Sequence, residues 1–218
     1  MKKRKISIST VILIIVFLVG LSVMLYPAVS DYWNTRTQSH AIAEYDEMLN
    51  NMDDKQYQKL LKDAKDYNER LKSLYLPLEN YKEIEGYERV LDVTGTGIMG
   101  YVTIPEINVE LPIYHGTSDE VLNVAVGHVQ GSTLPIGGKG THSVISAHRG
   151  LPSAKLFSDL DELSEGDIFT ITVLNDVLTY EVDKILIVEP EEVDKLNIID
   201  GEDYVTLVTC TPYAVSYT

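Results

Sequence analysis

Residues 97–116 read GIMGYVTIPEINVELPIYHG, two short runs rich in Val, Ile and Tyr that are separated by Pro105 and Asn108. Runs of this length and composition are typical of β-strands, and Pro and Asn favour a turn between them. The same texture continues as far as residue 211 in HSVISAH, DIFTITVL, VLTYEVDKILIVEP and DYVTLVTCT, and the segment LNDV at 174–177 predicts a hairpin turn. Two stretches, 119–127 and 153–163, have helical spacing instead. The pattern predicts a β-barrel or sandwich with short helices on its outside.

The segment before these strands is predicted to be helical. Apolar residues recur at helical spacing in two series, one through Ile42, Tyr45 and Leu49 and one from Tyr57 to Leu74. The series are interrupted near residues 50–53, and Pro77 is expected to end the second helix. We therefore expect two amphipathic helices, followed from Leu78 to Thr96 by a Gly-containing loop with short local structure.

The N-terminus predicts a membrane anchor. Residues 6–30 contain no Asp, Glu, Lys, Arg or His, and four basic residues, 2–5, precede them. About 20 such residues in a helix span a bilayer core. The basic cluster is expected to remain cytoplasmic, which places the rest of the chain outside the cell. A cleaved signal peptide is the competing interpretation, but its apolar stretch is usually about 7–15 residues.

Composition excludes several classes of function. The 218-residue chain has a formal net charge of −15, although its first four charged residues are basic. A surface this acidic argues against binding to nucleic acid, which needs basic residues to displace counterions. One Cys cannot form an internal disulfide, and neither a zinc-type Cys or His spacing nor a phosphate-binding loop occurs. We predict no cofactor and no metal.

Cys210 is the candidate nucleophile from the residues alone. It ends the apolar run VTLVTC just before Pro212, where a strand can present a side chain to a cleft. An inert buried thiol is the alternative, since free Cys is often buried. A reactive thiol needs a partner that favours the thiolate, and His148 similarly ends the run SVISAH. The other barrel histidines, His115, His128 and His142, are expected to be structural.

Taken together, five segments resemble the class C, pilin-polymerising sortases of Gram-positive bacteria. They are GIMGYVTIPEINVELPIYHGTSDEVL, GHVQGSTLPIGG, THSVISAHRGLPSAKLF, LDELSEGDIF and YVTLVTCTPY, and they cover most of residues 97–213. The helical AKDYNERL at 64–71 resembles the tyrosine-asparagine motif that precedes the barrel in that class.

This resemblance implies an eight-stranded sortase β-barrel, mainly β with short flanking helices, that acts as a membrane-anchored cysteine transpeptidase. Cys210 would attack an LPXTG-like sorting signal of a secreted pilin and form a thioester. His148 would act as the acid and base. A lysine amine of another pilin would then resolve the thioester to an isopeptide bond. The expected partners are therefore pilins carrying sorting signals, an acceptor lysine and the membrane.

The sequence departs from the family pattern in three respects. The family's catalytic Arg follows the Cys by about nine residues, and here TCTPYAVSYT reaches Thr218 before that position. Ala214 replaces the usual Gly, and the last barrel strand and a C-terminal membrane helix are expected beyond this point. No Asp-Pro pair marks the plug of a lid between Leu74 and Thr96.

Three functional hypotheses therefore stay open: the transpeptidase, a truncated sorting-signal-binding remnant, and a cysteine peptidase that uses water. The predicted organisation is a basic tail at 1–5 and a signal-anchor at 6–30. A helical region with a lid loop follows at 31–96, and a sortase barrel incomplete at its C-terminus occupies 97–218.

Overall fold

A computed structural model of the protein describes residues 7–212. Two long helices lead into the barrel: α1 spans Ile8–Asn50 and α2 spans Asp54–Lys72. Asp53 caps α2, because its side chain accepts a hydrogen bond from the Gln56 amide while Gln56 bonds back to the Asp53 amide. The predicted break near residues 50–53 is confirmed. The remaining helices, α3 (Pro77–Asn80) and α4 (Asp119–Leu122), are single turns.

Seven strands form one sheet within the described residues. In chain order they are β1 (Ile98–Ile104), β2 (Val109–His115), β3 (Val126–His128), β4 (Thr141–Ser146), β5 (Ile168–Val173), β6 (Asp176–Glu181) and β7 (Asp203–Val208). The order across the sheet is β6-β5-β1-β2-β3-β4-β7. The pairs β2–β3 and β4–β7 are parallel and the others antiparallel.

The two outer strands of the sheet approach each other, so the sheet is a nearly closed barrel. The hydroxyl of Tyr180 in β6 donates to Asp203 Oδ1 at the start of β7 over 3.1 Å. The other Asp203 oxygen accepts from the Gly138 amide. The mainly β barrel and the helical region before it are therefore as predicted, with seven strands between residues 7 and 212.

Three local predictions are corrected by the structure. The predicted strand 177–190 ends at Glu181, and the following apolar run is largely exposed, with Ile187 83% accessible. Strand formation needs a partner, and no described strand pairs with this run. Residues 153–163 form turns and a 3₁₀ turn at Leu160–Glu162 rather than an α-helix, and 119–127 divides into α4 and the beginning of β3.

Buried polar side chains join the helices to the barrel. Tyr45 of α1 is fully buried; its hydroxyl donates to the Met99 carbonyl over 3.0 Å and accepts from the Leu174 amide over 2.7 Å. Asn68 of α2 forms a bidentate pair with the backbone of Leu134, over 3.2 and 2.8 Å. Because both side chains satisfy backbone groups that would otherwise be buried without partners, they fix the helices to the sheet.

The direction of the strands defines two ends of the barrel. Strands β1, β4 and β7 run one way, while β2, β3 and β5 run the other. We call the end of the barrel at which β4 and β7 finish, after Ser146 and Val208, the site end. The end at which these two strands begin is called the opposite end.

Candidate active site

His148 and Cys210 follow the ends of β4 and β7, which are parallel neighbours in a fixed register. The pairing runs from Thr141 with Asp203 to Ser146 with Val208. Each candidate residue lies two positions beyond that last pair. Adjacent strands lie about 4.8 Å apart, and directly paired residues of neighbouring strands place their side chains on the same face of a sheet. The topology therefore brings Cys210 and His148 to equivalent positions at the site end.

The contact between the two chains continues past the last strand pair. The Ala147 amide donates to the Val208 carbonyl over 3.2 Å, and the Thr209 hydroxyl donates to the Ala147 carbonyl over 2.9 Å. These bonds hold the residue before His148 against the residue before Cys210. Cys210 is a free thiol, and both candidate residues are half-buried. The pair is thus anchored by backbone bonds while its side chains remain within reach of a substrate.

The loop after His148 folds back on it. The His148 carbonyl accepts from the Phe157 amide over 3.2 Å, and the Ser158 hydroxyl accepts from the Gly150 amide over 3.1 Å. Arg149 forms an ion pair with Asp161 over 2.5 Å, and its side chain is 12% exposed. Arg149 therefore contributes to holding the loop after His148 in place.

The other barrel histidines have structural partners. Each ring nitrogen of His115 lies 2.8 Å from a backbone carbonyl oxygen, of Gly97 and of Val90. His142 contacts the Asn197 carbonyl over 2.9 Å and the Thr206 hydroxyl over 2.7 Å. Both side chains are almost fully buried. These contacts support the interpretation that neither ring is a catalytic group.

His128 is fully buried between Tyr87 and Thr133. Its Nδ1 lies 2.9 Å from the Tyr87 hydroxyl and its Nε2 lies 2.9 Å from the Thr133 carbonyl. Burial lowers the pKa of His128 from 6.5 to about 4, against the opposing effect of the Thr133 bond. The ring is therefore neutral at pH 7, with Nε2 donating to the carbonyl and Nδ1 accepting from the tyrosine.

The segment expected to contain a lid packs at the opposite end of the barrel. Pro77 and Leu78 lie against Gly131 in the loop after β3. The Tyr87 hydroxyl bonds to His128 and accepts from the Gly116 amide. Two cavities of about 420 and 700 Å³ also border this segment, and neither is lined by Cys210 or His148. The described contacts thus place residues 77–90 away from the candidate pair.

Potential metal ligands are not clustered in the described part of the chain. Between residues 7 and 212, no group of three or more His, Cys, Asp and Glu side chains is arranged to hold an ion. The expectations for Ala214 and for an arginine further along the chain lie outside the described residues, as does the basic tail.

The sortase-domain family model matches residues 102–218. The chain belongs to the sortase family. Among curated sortases, it is 32% identical to "Sortase A" of Streptococcus agalactiae over 117 residues, covering 52% of this chain and 47% of that protein. It is 31% identical to "Sortase D" of Bacillus subtilis over 115 residues, covering 53% of this chain and 55% of that protein. The chain thus spans about half the length of these curated sortases.

Solved class C sortases share the fold over most of the chain. A crystal structure of sortase C1 from Streptococcus agalactiae has 47% identity and a TM-score of 0.74, covering 81% of this chain and 92% of that chain. Sortase C from Streptococcus pneumoniae has 43% identity and a TM-score of 0.72, covering 81% and 90%. Sortase C from Clostridium perfringens has 38% identity and a TM-score of 0.66, covering 81% and 92%. The predicted resemblance to class C sortases is confirmed.

Sequence reasoning did not identify the polar residues of α1 that contact the site end. Asp31 and Asn34 bond to the backbone of the loop after His148, and Gln38 bonds to the Val124 carbonyl. Their spacing continues the buried series through Ile42 and Tyr45. This helical spacing is the feature of the sequence that could have indicated that they face the barrel. Polar residues in such a series are easily taken for solvent-exposed positions.

Proposed function

We propose that this sortase is a cysteine transpeptidase in which Cys210 is the nucleophile and His148 the acid and base. The observation that carries the proposal is the register of β4 and β7, which brings an unpaired thiol and an imidazole to the same strand end. A thiol beside a histidine is the arrangement needed for nucleophilic attack on an acyl carbon.

The reaction proceeds in two steps. The Cys210 sulfur attacks the carbonyl carbon between Thr and Gly of an LPXTG-like signal, and the C–N bond breaks as His148 gives a proton to the leaving amine. The resulting thioester retains the acyl group. A lysine amine then attacks the thioester, its proton passes to His148, and the Cys210 sulfur leaves. The isopeptide bond forms without an external energy source, because the thioester conserves the energy of the broken bond.

Pilins are the proposed substrates. The solved S. pneumoniae sortase C is described with respect to its pilin substrate specificity, and this chain shares 43% identity with it. We infer that the chain joins the sorting signal of one secreted pilin to a lysine of another. This proposal concerns the substrate, whereas the roles of Cys210 and His148 rest on the geometry of the site.

The proposed location is the outer face of the cell membrane. The described part of the chain contains one helix long and apolar enough to cross a bilayer, Ile8–Asn50, and its most apolar window is not buried against the barrel. Exposed apolar side chains such as Phe17 and Val23 are typical of lipid contact rather than of a water-facing helix. We infer that this helix is an N-terminal membrane anchor.

An experiment with competing acceptors separates the three functional hypotheses. The chain is incubated with an LPXTG-containing peptide and a lysine-bearing pilin domain, and the products are identified by mass spectrometry. Transpeptidation predicts an isopeptide-linked product. A water-using peptidase would give the free acid at every lysine concentration. Binding without any cleavage would instead support the sorting-signal-binding remnant.

A further inference from the structure

Helix α1 meets the barrel as soon as its apolar segment ends. Side chains between residues 8 and 29 are nearly all exposed. A series of less exposed side chains then begins with the half-buried Asp31 and Asn34 and reaches the buried Gln38. Both segments belong to the same helix, Ile8–Asn50. Since no linker separates them, the position of the barrel relative to the apolar segment is set by the helix itself.

The first polar residues of this series contact the site end. Asp31 Oδ1 accepts from the Lys155 amide over 2.9 Å, and Asn34 Nδ2 donates to the Ser153 carbonyl over 2.8 Å. Gln38 Nε2 donates to the carbonyl of Val124, just before β3, over 2.6 Å. All three partners are backbone groups in chain segments that adjoin the site end.

Later residues of the same helix contact the opposite end. Tyr45 bonds to Met99 at the start of β1 and to Leu174 just after β5. The helix therefore runs along the barrel from the site end towards the opposite end. The site end is the one nearest to the apolar segment.

The distance between His148 and the apolar segment is short. Asp31 bonds to Lys155, and Phe157, two residues further, bonds to His148. Two residues of chain reach at most about 7 Å, so the whole path from Asp31 to His148 is on the order of 15 Å. Each helical residue adds about 1.5 Å, so the step from Asp31 back to Ser30 is negligible on this scale.

We propose that the site end of the barrel, with Cys210 and His148, faces the lipid surface, and that the contacts of Asp31, Asn34 and Gln38 fix this orientation. The inference rests on the proposed membrane anchor. A scissile bond must then reach the enzyme close to the headgroups. A substrate that holds its scissile bond far from the bilayer is therefore excluded from the site by its distance from the membrane and not by the sequence of its sorting signal.

The single Cys of the chain allows a direct test of the orientation. The full chain is reconstituted in nanodiscs that contain a trace of lipid with a nitroxide on its headgroup, and a fluorophore is attached to Cys210. The comparison protein carries Cys210→Ala and Lys139→Cys, which moves the same fluorophore to an exposed position just before β4. Quenching by the nitroxide reports the distance of each fluorophore from the lipid surface.

We expect at least about twofold stronger quenching at position 210, because the six residues of β4, at about 3.3 Å each, lie between the two ends. Equal quenching, or stronger quenching at position 139, would overturn the proposal. A chain that does not enter the nanodiscs would overturn the anchor and the orientation together. Cleavage of a soluble sorting peptide by the unlabelled chain does not depend on the orientation of the barrel. This assay therefore distinguishes a failure of the proposed activity from a failure of the proposed orientation.

Discussion

At the scale of single residues, the site depends on a thiol and an imidazole whose residues closely follow two neighbouring parallel strands. The register from Thr141 with Asp203 to Ser146 with Val208 leaves His148 and Cys210 at equal positions beyond the strands. Their roles are distinct, and substitutions can separate them. The histidines with structural partners provide matched comparisons.

His148→Ala is expected to slow formation of the acyl-enzyme by about 10²–10⁴-fold, the usual contribution of a general acid or base. Its stability should change little, because the side chain is only half-buried. Single-turnover kinetics with a sorting peptide and thermal unfolding would measure the two effects.

His142→Ala is the matched comparison. It removes a buried ring that contacts the Asn197 carbonyl and the Thr206 hydroxyl. The expected loss is about 1–3 kcal/mol of stability for unsatisfied buried groups, with a much smaller effect on the rate. If His142→Ala slowed the reaction as much as His148→Ala while the protein remained folded, the assignment of roles would be wrong.

His128 predicts a pH dependence of stability. Its folded pKa of about 4 lies below the unfolded value of 6.5, so only the unfolded chain takes up this proton between those pH values. Stability should therefore fall as the pH drops from about 6.5 to about 4, by up to about 3 kcal/mol from this group. His128→Gln should flatten this part of the profile in denaturant titrations, whereas His40→Gln, on the exposed face of α1, should leave it unchanged.

At the scale of secondary structure, tyrosine and amide side chains attach the helices to the sheet. Tyr45→Phe would leave the Met99 carbonyl and the Leu174 amide without their bonds at a fully buried position. We expect a loss of about 1–3 kcal/mol in the free energy of unfolding. Tyr57→Phe, which removes a surface bond to Asp176, should lose no more than about 1 kcal/mol. Equal losses for both variants would contradict the role given to Tyr45.

The contacts of α1 also predict an effect on the reaction. In the double variant Asn34→Asp and Gln38→Glu, both donors to backbone carbonyls become acceptors of nearly the same size. Loosening of the loop after His148 should slow acyl-enzyme formation by about 10-fold, since a misplacement of about 1 Å can cost up to 10²-fold. Asp31→Asn keeps an acceptor for the Lys155 amide and should retain most activity.

Thr37→Val serves as the control for this experiment. The Thr37 hydroxyl bonds within α1 to the Trp33 carbonyl and lies on the exposed face of the helix. The Thr37→Val variant should form the acyl-enzyme at the same rate as the unsubstituted chain. A double variant with an unchanged rate would show that these contacts do not position the loop.

The sequence correctly predicted those secondary-structure features that depend on only a few neighbouring residues. The break between α1 and α2 follows from Asp53 as a cap, and the hairpin at 174–177 joins β5 to β6 as expected. The three-residue β3 was missed because its pairing with β2 and β4 is non-local. The strand predicted to reach residue 190 was too long, because an apolar run becomes a strand only beside a partner.

At the scale of the whole molecule, the barrel is linked to the apolar segment by a continuous helix. Sequence periodicity predicted the helices and the strands, but it could not predict that β4 and β7 are parallel neighbours. Their separation of about 60 residues in the chain makes this pairing a property of the complete sheet. The residues alone suggested Cys210 and His148 as candidates, and the resemblance to sortases supplied their catalytic pairing in advance.

The intact mass of the protein after brief mixing with an LPXTG-containing peptide tests directly whether Cys210 is the nucleophile. We expect an added acyl group on Cys210 that hydroxylamine removes, as expected of a thioester. The adduct should be absent in Cys210→Ala and should form much more slowly in His148→Ala. Release of peptide fragments by Cys210→Ala at the original rate would show that Cys210 is not the nucleophile.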